Sequence, residues 1–420
     1  MDIRYLRKSD PELAKLVAAE AKRQAKTIDL IPSENIVSPA VLESLGSALT
    51  NKYSEGYPGR RYYAGNALVD RIELLARERA RKAFRLGKHW HVNVQPYSGS
   101  PANMAVYYAL LEPGDKIMGM SLPFGGHLTH GWKVNFSARL YKAVQYTVGR
   151  DGFIDYHAVA KLARKERPRI VVAGATAYPR IFDFKKFAAI AHGVGAYFLA
   201  DIAHIAGLIA AGVHPSPFPY ADVVTTTTHK TLRGPRGAII FANRNSRIAK
   251  RRKLDIAQAI DRAVFPGLQG GPHDNQTAAI AACLGEAMEP AFRRYGRQVV
   301  KNAKTLGREL LRRGFPLVTG GTDNHMVLVD LSDIGLSGRE VQDCLEQVGI
   351  VVNRNTVPYD TRSPFDPSGI RLGTPSATSR GMKEREMAVI AGLIADALQQ
   401  RRPLTAIRRK VGWLCRRFPI

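Results

Sequence analysis

Between residues 116 and 242, short apolar runs recur at 116–120, 139–148, 169–176, 197–200, 222–228 and 238–242, separated by stretches of helical periodicity such as 184–192. Strands alternating with helices predict a mostly parallel sheet covered by helices, the α/β class. Past residue 292 the pattern shifts to an amphipathic helix over 295–311, strand-like runs at 326–331 and 349–353, and a closing helix over 383–400. At the other end, Ser9-Asp10-Pro11-Glu12 has the spacing of a capping box with an early proline, which predicts a helix to about Lys26. A chain of 420 residues outgrows a single core. It divides into an arm (1–30), a large domain (31–290) and a smaller C-terminal domain (291–420). The longest apolar stretch, 196–213, is interrupted by Asp201 and His204, so it reads as a buried strand and helix and not as a membrane span.

The chemistry concentrates where two of these strands end. The run 223–236, VVTTTTHKTLRGPR, closes a β-branched strand on His229 and Lys230, while the strand at 197–200 delivers Asp201 at its carboxyl end. A lysine amine that forms a Schiff base with an aldehyde, and a carboxylate that pairs with a protonated pyridine nitrogen, together suggest pyridoxal phosphate. Upstream, PYSGSPAN (96–103) leads into an apolar helical run. Ser98, Gly99 and Ser100 then sit where free N–H groups, a helix dipole and two hydroxyls can hold a phosphate dianion. Taken singly, a lysine after a strand is usually solvated, an aspartate there usually a cap, and an S-G-S loop usually a turn. The ordered set of three is far more specific.

With these in place the sequence resembles serine hydroxymethyltransferase. The motifs are LIPSEN (30–35), LTNKYSEGYPGRRYY (49–63), GGHLTHG (125–131), TTTTHKTLRGPRG (225–237), FPGLQGGP (265–272), GGTDNH (320–325) and SGIRLGTP (368–375). The resemblance implies a fold-type I pyridoxal-phosphate transferase with a seven-stranded, mostly parallel sheet and a smaller α+β domain. It implies interconversion of serine and glycine with tetrahydrofolate as the one-carbon carrier.

By motif match, Lys230 is the Schiff-base lysine, Asp201 the pyridinium partner and His127 the ring stacked on the cofactor. His204 and Thr176 hydrogen-bond around the cofactor's phenolic oxygen or the substrate carboxylate, with threonine standing where the family usually has serine. Thr227 and His229 flank the lysine and assist exchange and phosphate contact; β propensity suffices for Thr225. The substrate carboxylate calls for a rigid bidentate cation, which the match assigns to Arg371, with Ser33 beside it. Gly270, Gly271 and Tyr53 match groups that reach the phosphate from a neighbouring subunit, so at least a homodimer is expected. Glu55 is the acid-base candidate for moving protons between serine and folate, with Tyr63 close to it. Tyr62, Tyr63, Leu122, Gly126, Leu128, Phe265 and Asn355 match the surfaces around the pterin and its neighbouring ring. One departure follows the tyrosine pair: Ala64-Gly65-Asn66-Ala67 replaces a signature that carries an acid in the last position, which puts folate affinity or subunit pairing in question.

Composition adds two things. Cys283, Cys344 and Cys415 are few, odd in number and far apart, which fits neither a disulfide framework nor a zinc site and points to a reducing, cytoplasmic setting. No metal site is legible, and no secretory or transit signal is apparent. The net charge is +26, with six basic residues and no acid over 244–253 and seven with no acid from Arg401 onward. Such clusters attract anions, nucleic acid included, or simply form a solvated basic surface. Two other readings therefore stand beside the transferase: a folate-independent aldolase acting on β-hydroxy amino acids, and an RNA-binding protein on this scaffold. The pterin-facing residues argue against the first, and the complete catalytic set argues against the second.

Overall fold

Seven strands form the central sheet: β1 (Trp90–Asn93), β2 (Lys116–Met120), β3 (Lys142–Tyr146), β4 (Ile170–Ala173), β5 (Tyr197–Asp201), β6 (Val223–Thr227) and β7 (Ala238–Asn243). The computed structural model describes residues 3–420; Met1 and Asp2, the first two positions of the arm, lie outside the described residues. The spatial order is β1-β7-β6-β5-β4-β2-β3, with β7 antiparallel to both neighbours and the other pairs parallel. Side chains alternate between two cores as strand geometry requires. Met118, Phe198 and Phe241 pack into one cluster, and Ile117, Leu199 and Ile240 into the other.

The sequence pattern anticipated six of these strands and missed β1. WHVN carries two polar residues, yet all four side chains are buried, because Asp261 accepts from Asn93 Nδ2 at 2.8 Å and lies 2.7 Å from His91 Nε2. The expected 139–148 strand shortens to β3, since Asn135 caps a helical turn over Phe136–Leu140.

The helices that bear on the site and on the chain ends are α1 (Pro11–Lys26), α2 (Gly99–Leu110), α3 (Pro290–Leu311), α4 (Glu384–Leu398) and α5 (Leu404–Arg417). The expected capping box at α1 does not form. Ser9 ends a preceding helical turn with its hydroxyl directed to Leu6 O, and Asp10 is the cap, its Oδ1 accepting the Leu13 N–H at 2.9 Å. A carboxylate at N-cap followed by proline at N1 suffices to start the helix. The chain also continues past α4, expected to close it, into α5.

A second, antiparallel sheet has the order β8 (Met326–Asp330), β10 (Gly369–Gly373), β9 (Asn353–Asn355). The run expected at 349–353 splits: Ile350 and Val351 pair in parallel with Ile28 and Asp29 of the arm, and the chain then turns into β9. Ile28 and Leu30 accordingly pack with Val329, Leu372 and Ile394 in a core of their own. Strand β10 was illegible in sequence because two of its five residues are glycine. A β-carbon on Gly373 would lie 2.5 Å from Pro32 Cα, so glycine there lets the Leu30–Asn35 loop lie against the strand that carries Arg371. Among the described residues no helix is long and apolar enough to cross a membrane.

Candidate active site

Asp201 ends β5 at the register position of Thr225 on parallel β6, which places its carboxylate beside the strand leading to Lys230, at the carboxyl ends where such sheets bind ligands. Its Oδ2 accepts from Asn103 Nδ2 at 2.8 Å and lies 3.1 Å from His130 Nε2, and its Oδ1 accepts the Ala203 N–H at 3.1 Å. Asn103, on α2, is itself fixed: its Oδ1 accepts from Thr225 Oγ1 at 2.7 Å. His130 Nδ1 accepts the His127 N–H, so the proton of the neutral ring sits on Nε2 and is donated to Asp201. Burial by itself would raise the Asp201 pKa, but the hydrogen bond from His130, supported by that from Asn103, holds it well below the ordinary carboxylate value. Lys230 moves the other way. Loss of solvation lowers it to about 8 against the pull of Asp201, with Arg371 and Arg236 reinforcing the drop. A carboxylate kept ionised thus stands near an amine that is partly neutral close to pH 7.

Three histidines surround this pair. His127 Nδ1 accepts the Thr129 N–H at 3.2 Å and lies 2.7 Å from its hydroxyl, leaving the ring proton on Nε2. Burial pushes His127 down to about 4 and His229 to about 3. His204 is buried, with Nδ1 3.4 Å from His325 Nε2, and burial followed by Lys230 and Arg371 holds it far below its usual value. His127, His130 and Asp201 place three ligand-capable atoms within 4.8 Å of one another, but the His130 and Asp201 atoms already share a hydrogen bond.

At the N-terminus of α2, Ser98 has extended backbone and its side chain makes no capping bond, so the first N–H groups of the helix and the hydroxyl remain free to meet an anion. Gly99 is required there because a β-carbon would lie 2.7 Å from Thr227 Cγ2. Thr227 is buried, its hydroxyl 3.4 Å from Ala203 O, and Ser100 follows in the first turn.

Arg371 is buried on β10 and reaches the large sheet: Nη1 donates to Thr176 O, and Nε donates to Asn353 Oδ1 at 3.1 Å. Desolvation lowers it to about 10. The Thr176 hydroxyl donates to Gly126 O at 2.8 Å, an engagement the sequence did not suggest. Ser33 and His229 line one cavity of about 420 Å3. Gly126, expected to face the pterin, has a packing reason to be glycine, since a β-carbon would meet Met120 O at 1.9 Å. Asn355 Nδ2 donates to Thr356 O at 2.7 Å, and the Thr356 hydroxyl donates to Pro123 O, tying β9 to the turn that carries Leu122; Leu128 stands exposed beyond it.

The remaining predicted residues form a separate group. Tyr53 donates to Glu55 Oε1 at 3.3 Å and meets Tyr63 edge to face at 5.0 Å, and Tyr62 meets Phe265 at 5.9 Å. A β-carbon on Gly270 would lie 3.3 Å from Glu55 Oε1, and one on Gly271 3.4 Å from the Tyr53 ring. Among the described residues no hydrogen bond, ion pair or ring contact joins this group to Lys230, Asp201 or Arg371, and Tyr53, Tyr62 and Tyr63 are exposed. Within 64–67, Asn66 Nδ2 donates to Tyr63 O at 2.9 Å and to Tyr53 O at 3.3 Å, while nothing in the structure explains the departures at Ala64 and Ala67.

Asn103, Thr129, His130, Asn353 and His325 were not singled out from sequence, and Thr225 was given β propensity alone. All but Asn353 stand inside motifs already recognised, but the hydrogen bonds that give them a role join elements distant in sequence.

These residues fit pyridoxal phosphate: an ionised carboxylate suits a pyridinium nitrogen, the uncapped start of α2 suits a phosphate, and His229 Nδ1, next to the lysine, is buried and makes no hydrogen bond. The seven-stranded sheet and this donor set define a fold-type I pyridoxal-phosphate enzyme. A sequence model of serine hydroxymethyltransferase matches residues 6–394. The chain is 56% identical to the serine hydroxymethyltransferase of Acidothermus cellulolyticus over 96% of its own length and 93% of the relative's. It is 54% identical to those of Desulfotalea psychrophila (99% and 95% covered) and Sorangium cellulosum (99% and 96%). The chain belongs to the serine hydroxymethyltransferase family.

Proposed function

We infer that this protein is a pyridoxal-phosphate-dependent serine hydroxymethyltransferase, which converts L-serine and tetrahydrofolate reversibly into glycine and 5,10-methylenetetrahydrofolate. The observation that carries the reading is the convergence of ionised Asp201, low-pKa Lys230 and buried Arg371 in a chain that the family covers almost end to end. Pyridoxal phosphate, when bound, supplies an electron sink for bond cleavage at the amino-acid α-carbon. Lys230 would hold it covalently, its amine being partly neutral near pH 7 and therefore nucleophilic. Asp201 would face the ring nitrogen, His127 the ring, and Ser98, Gly99 and Ser100 the phosphate. Arg371 and Ser33 bind the serine carboxylate, which gives the guanidinium a charged partner in place of the Thr176 carbonyl. His204, Thr176 and Thr227 fix hydrogen bonds around the reacting amino acid.

The group at Tyr53, Glu55, Tyr63, Gly270 and Gly271 is assigned to the site of a second copy, which makes the active unit a homodimer. Support comes from its exposed tyrosines and from the absence, among the described residues, of any hydrogen bond, ion pair or ring contact between it and Lys230. Glu55, with Tyr63, then moves the proton between the serine hydroxyl and folate, while Tyr62, Leu122, Gly126, Leu128, Phe265 and Asn355 hold the pterin and its neighbouring ring. We place the cofactor in a domain spanning 31–290 and read 291–420 as the smaller domain, supported by two cores, the larger of which also takes in Phe292, Tyr295 and Val299 of α3. A cytoplasmic location agrees with three unpaired thiols, at Cys283, Cys344 and Cys415.

The test supplies the purified protein with serine and tetrahydrofolate and measures glycine and 5,10-methylenetetrahydrofolate, then treats the cofactor-loaded protein with borohydride and maps the modified peptide. Equimolar products and a label on Lys230 are expected. A label on another lysine, or serine cleavage indifferent to folate, would sink the reading.

A further inference from the structure

The opposite edge of the central sheet carries chemistry that the reaction does not use. The active site lies at the carboxyl ends of β5 and β6. On the other side, the amino ends of β2 to β5 open on a cavity of about 400 Å3, lined by Lys116, Lys142, Arg167, Arg169 and Arg252. That volume lies within the range of small-molecule sites. Two carboxylates share the wall and both are occupied. Glu166 receives Lys116 Nζ at 2.9 Å, while Asp115 accepts the Glu112 N–H at 2.9 Å and stands 4.0 Å from Arg169 Nε. Lys142, Arg167 and Arg252 have no ion pair among the described residues.

Arg252 decides what this cavity is for. Its Cζ lies 4.6 Å from the centroid of the Tyr197 ring and its Nη2 donates to Gly195 O at 2.8 Å, yet Nη1 is buried and donates to nothing. Burial and the neighbouring Arg169 disfavour its charge, and the Tyr197 hydroxyl and Asp115 offset them only in part, leaving its pKa below the ordinary value. A buried charged donor without an acceptor is costly, as is a like-charged neighbour. The helix Tyr156–Glu166 ends here, and its C-terminal dipole accounts for Arg167 at its cap. It gives Arg252 Nη1 no acceptor. One anion between the two arginines would remove both penalties.

We propose that this basal cavity binds the phosphate group of a small molecule, held by Arg252 and Arg169 with Lys142 contributing charge. A small molecule is favoured over RNA because the aromatic ring present, Tyr197, is only 1% exposed beneath Arg252 and offers no platform for stacking a base.

In the test, holoenzyme whose phosphate site at α2 is filled by pyridoxal phosphate is titrated calorimetrically at low salt with inorganic phosphate, then with glycerol 3-phosphate. One saturable site per chain is expected. Loss of a charged donor should weaken it at least about tenfold in Arg252→Gln and in Lys142→Gln, while Lys253→Gln, outside the cavity, leaves it unchanged. Lys142→Gln keeps the test decisive if Arg252→Gln misfolds, because the Lys142 ammonium makes no hydrogen bond or ion pair among the described residues. Tighter binding of glycerol 3-phosphate would identify a phosphate monoester, and equal affinities free phosphate. No saturable binding by the parent, unchanged affinity in Lys142→Gln, or single-stranded RNA that displaces phosphate and depends on Arg252 would each overturn the proposal.

Discussion

His204 and His325 meet between the large sheet and the small one, Nδ1 of the first 3.4 Å from Nε2 of the second, with ring planes 25° apart. His204 follows β5 and Asp201; His325 comes immediately before β8. Both are buried, and burial is the first reason each stays neutral, His325 at about 3. Two neutral imidazoles at this separation must share one proton between the facing nitrogens, so the tautomer of His204 is tied to a residue of the other sheet.

His325→Leu should therefore leave His204 without its partner and lower kcat/KM for serine by roughly one to two powers of ten, the cost of a buried unsatisfied polar group. His325→Gln, whose amide reaches the position of Nε2, should recover most of that loss. If the two variants lose activity equally while melting at the same temperature as the parent, the hydrogen bond has no positioning role.

Asn103 offers a second measurement. Asn103→Ala removes one of the two side-chain donors on Asp201 Oδ2 and strips Thr225 Oγ1 of its acceptor. Affinity for pyridoxal phosphate, read by equilibrium dialysis, should fall about tenfold or more, and Thr225→Val should show the same change in smaller measure. Unaltered affinity in both would remove the network from cofactor binding.

The protein without cofactor should weaken in acid. His127 at about 4, His229 and His325 at about 3, and His204, held well below its ordinary value, are all depressed from an unfolded value of 6.5, chiefly by burial. Between 6.5 and those values the unfolded chain binds more protons. Their stabilising share is complete above pH 6.5 and is lost as pH falls, each by up to about 1.4 kcal/mol per pH unit. Asp29 opposes them. Burial and Glu34 raise it to about 7, so it adds stability as pH drops from 7 toward 3.8. Burial lowers His214 as well and raises Glu73 and Asp274, so five rings stand against three carboxyls, and the urea midpoint of this form should be lower at about pH 5 than at about pH 7.5. A midpoint that rises instead would show that these rings are protonated in the folded state.

What the sequence disclosed and what it withheld divide along a physical line. Lys230, Asp201 and the Ser98–Ser100 loop could be read because each is a local signal, a strand end or a helix start whose residue type matches one chemical task. Strand β1 could not, since His91 and Asn93 look like loop residues until Asp261, far along the chain, satisfies them. Asn103, His130 and Thr225 act through hydrogen bonds that exist only once α2, β5 and β6 are assembled. The cap of α1 was misplaced by one residue because serine and aspartate both qualify at N-cap and only geometry chooses between them.

Assembly is testable by dilution. With Tyr53, Gly270 and Gly271 assigned to a neighbouring copy's phosphate site, activity per chain should fall as dilution separates the subunits, in step with the mass measured by light scattering. Full activity in a species of 46.2 kDa would rule out the shared site.

Glu55 carries the sharpest contrast. It accepts a hydrogen bond from Tyr53 and is linked by no hydrogen bond, ion pair or ring contact to Lys230, Asp201 or Arg371 among the described residues. Its assigned work is proton transfer in the folate reaction, separate from binding of the amino acid. Glu55→Gln keeps the size and most of the hydrogen bonding but cannot exchange a proton. Cofactor and serine affinity should stay near the parent's, because the groups that bind them are untouched. Folate-dependent turnover should fall by roughly two to four powers of ten, the usual contribution of a positioned acid or base. Cleavage of a β-hydroxy amino acid that needs no folate should suffer much less. Equal losses in the two reactions would make Glu55 a general structural residue, and no loss in either would move the proton to another group, with Tyr63 and His204 the next to be substituted.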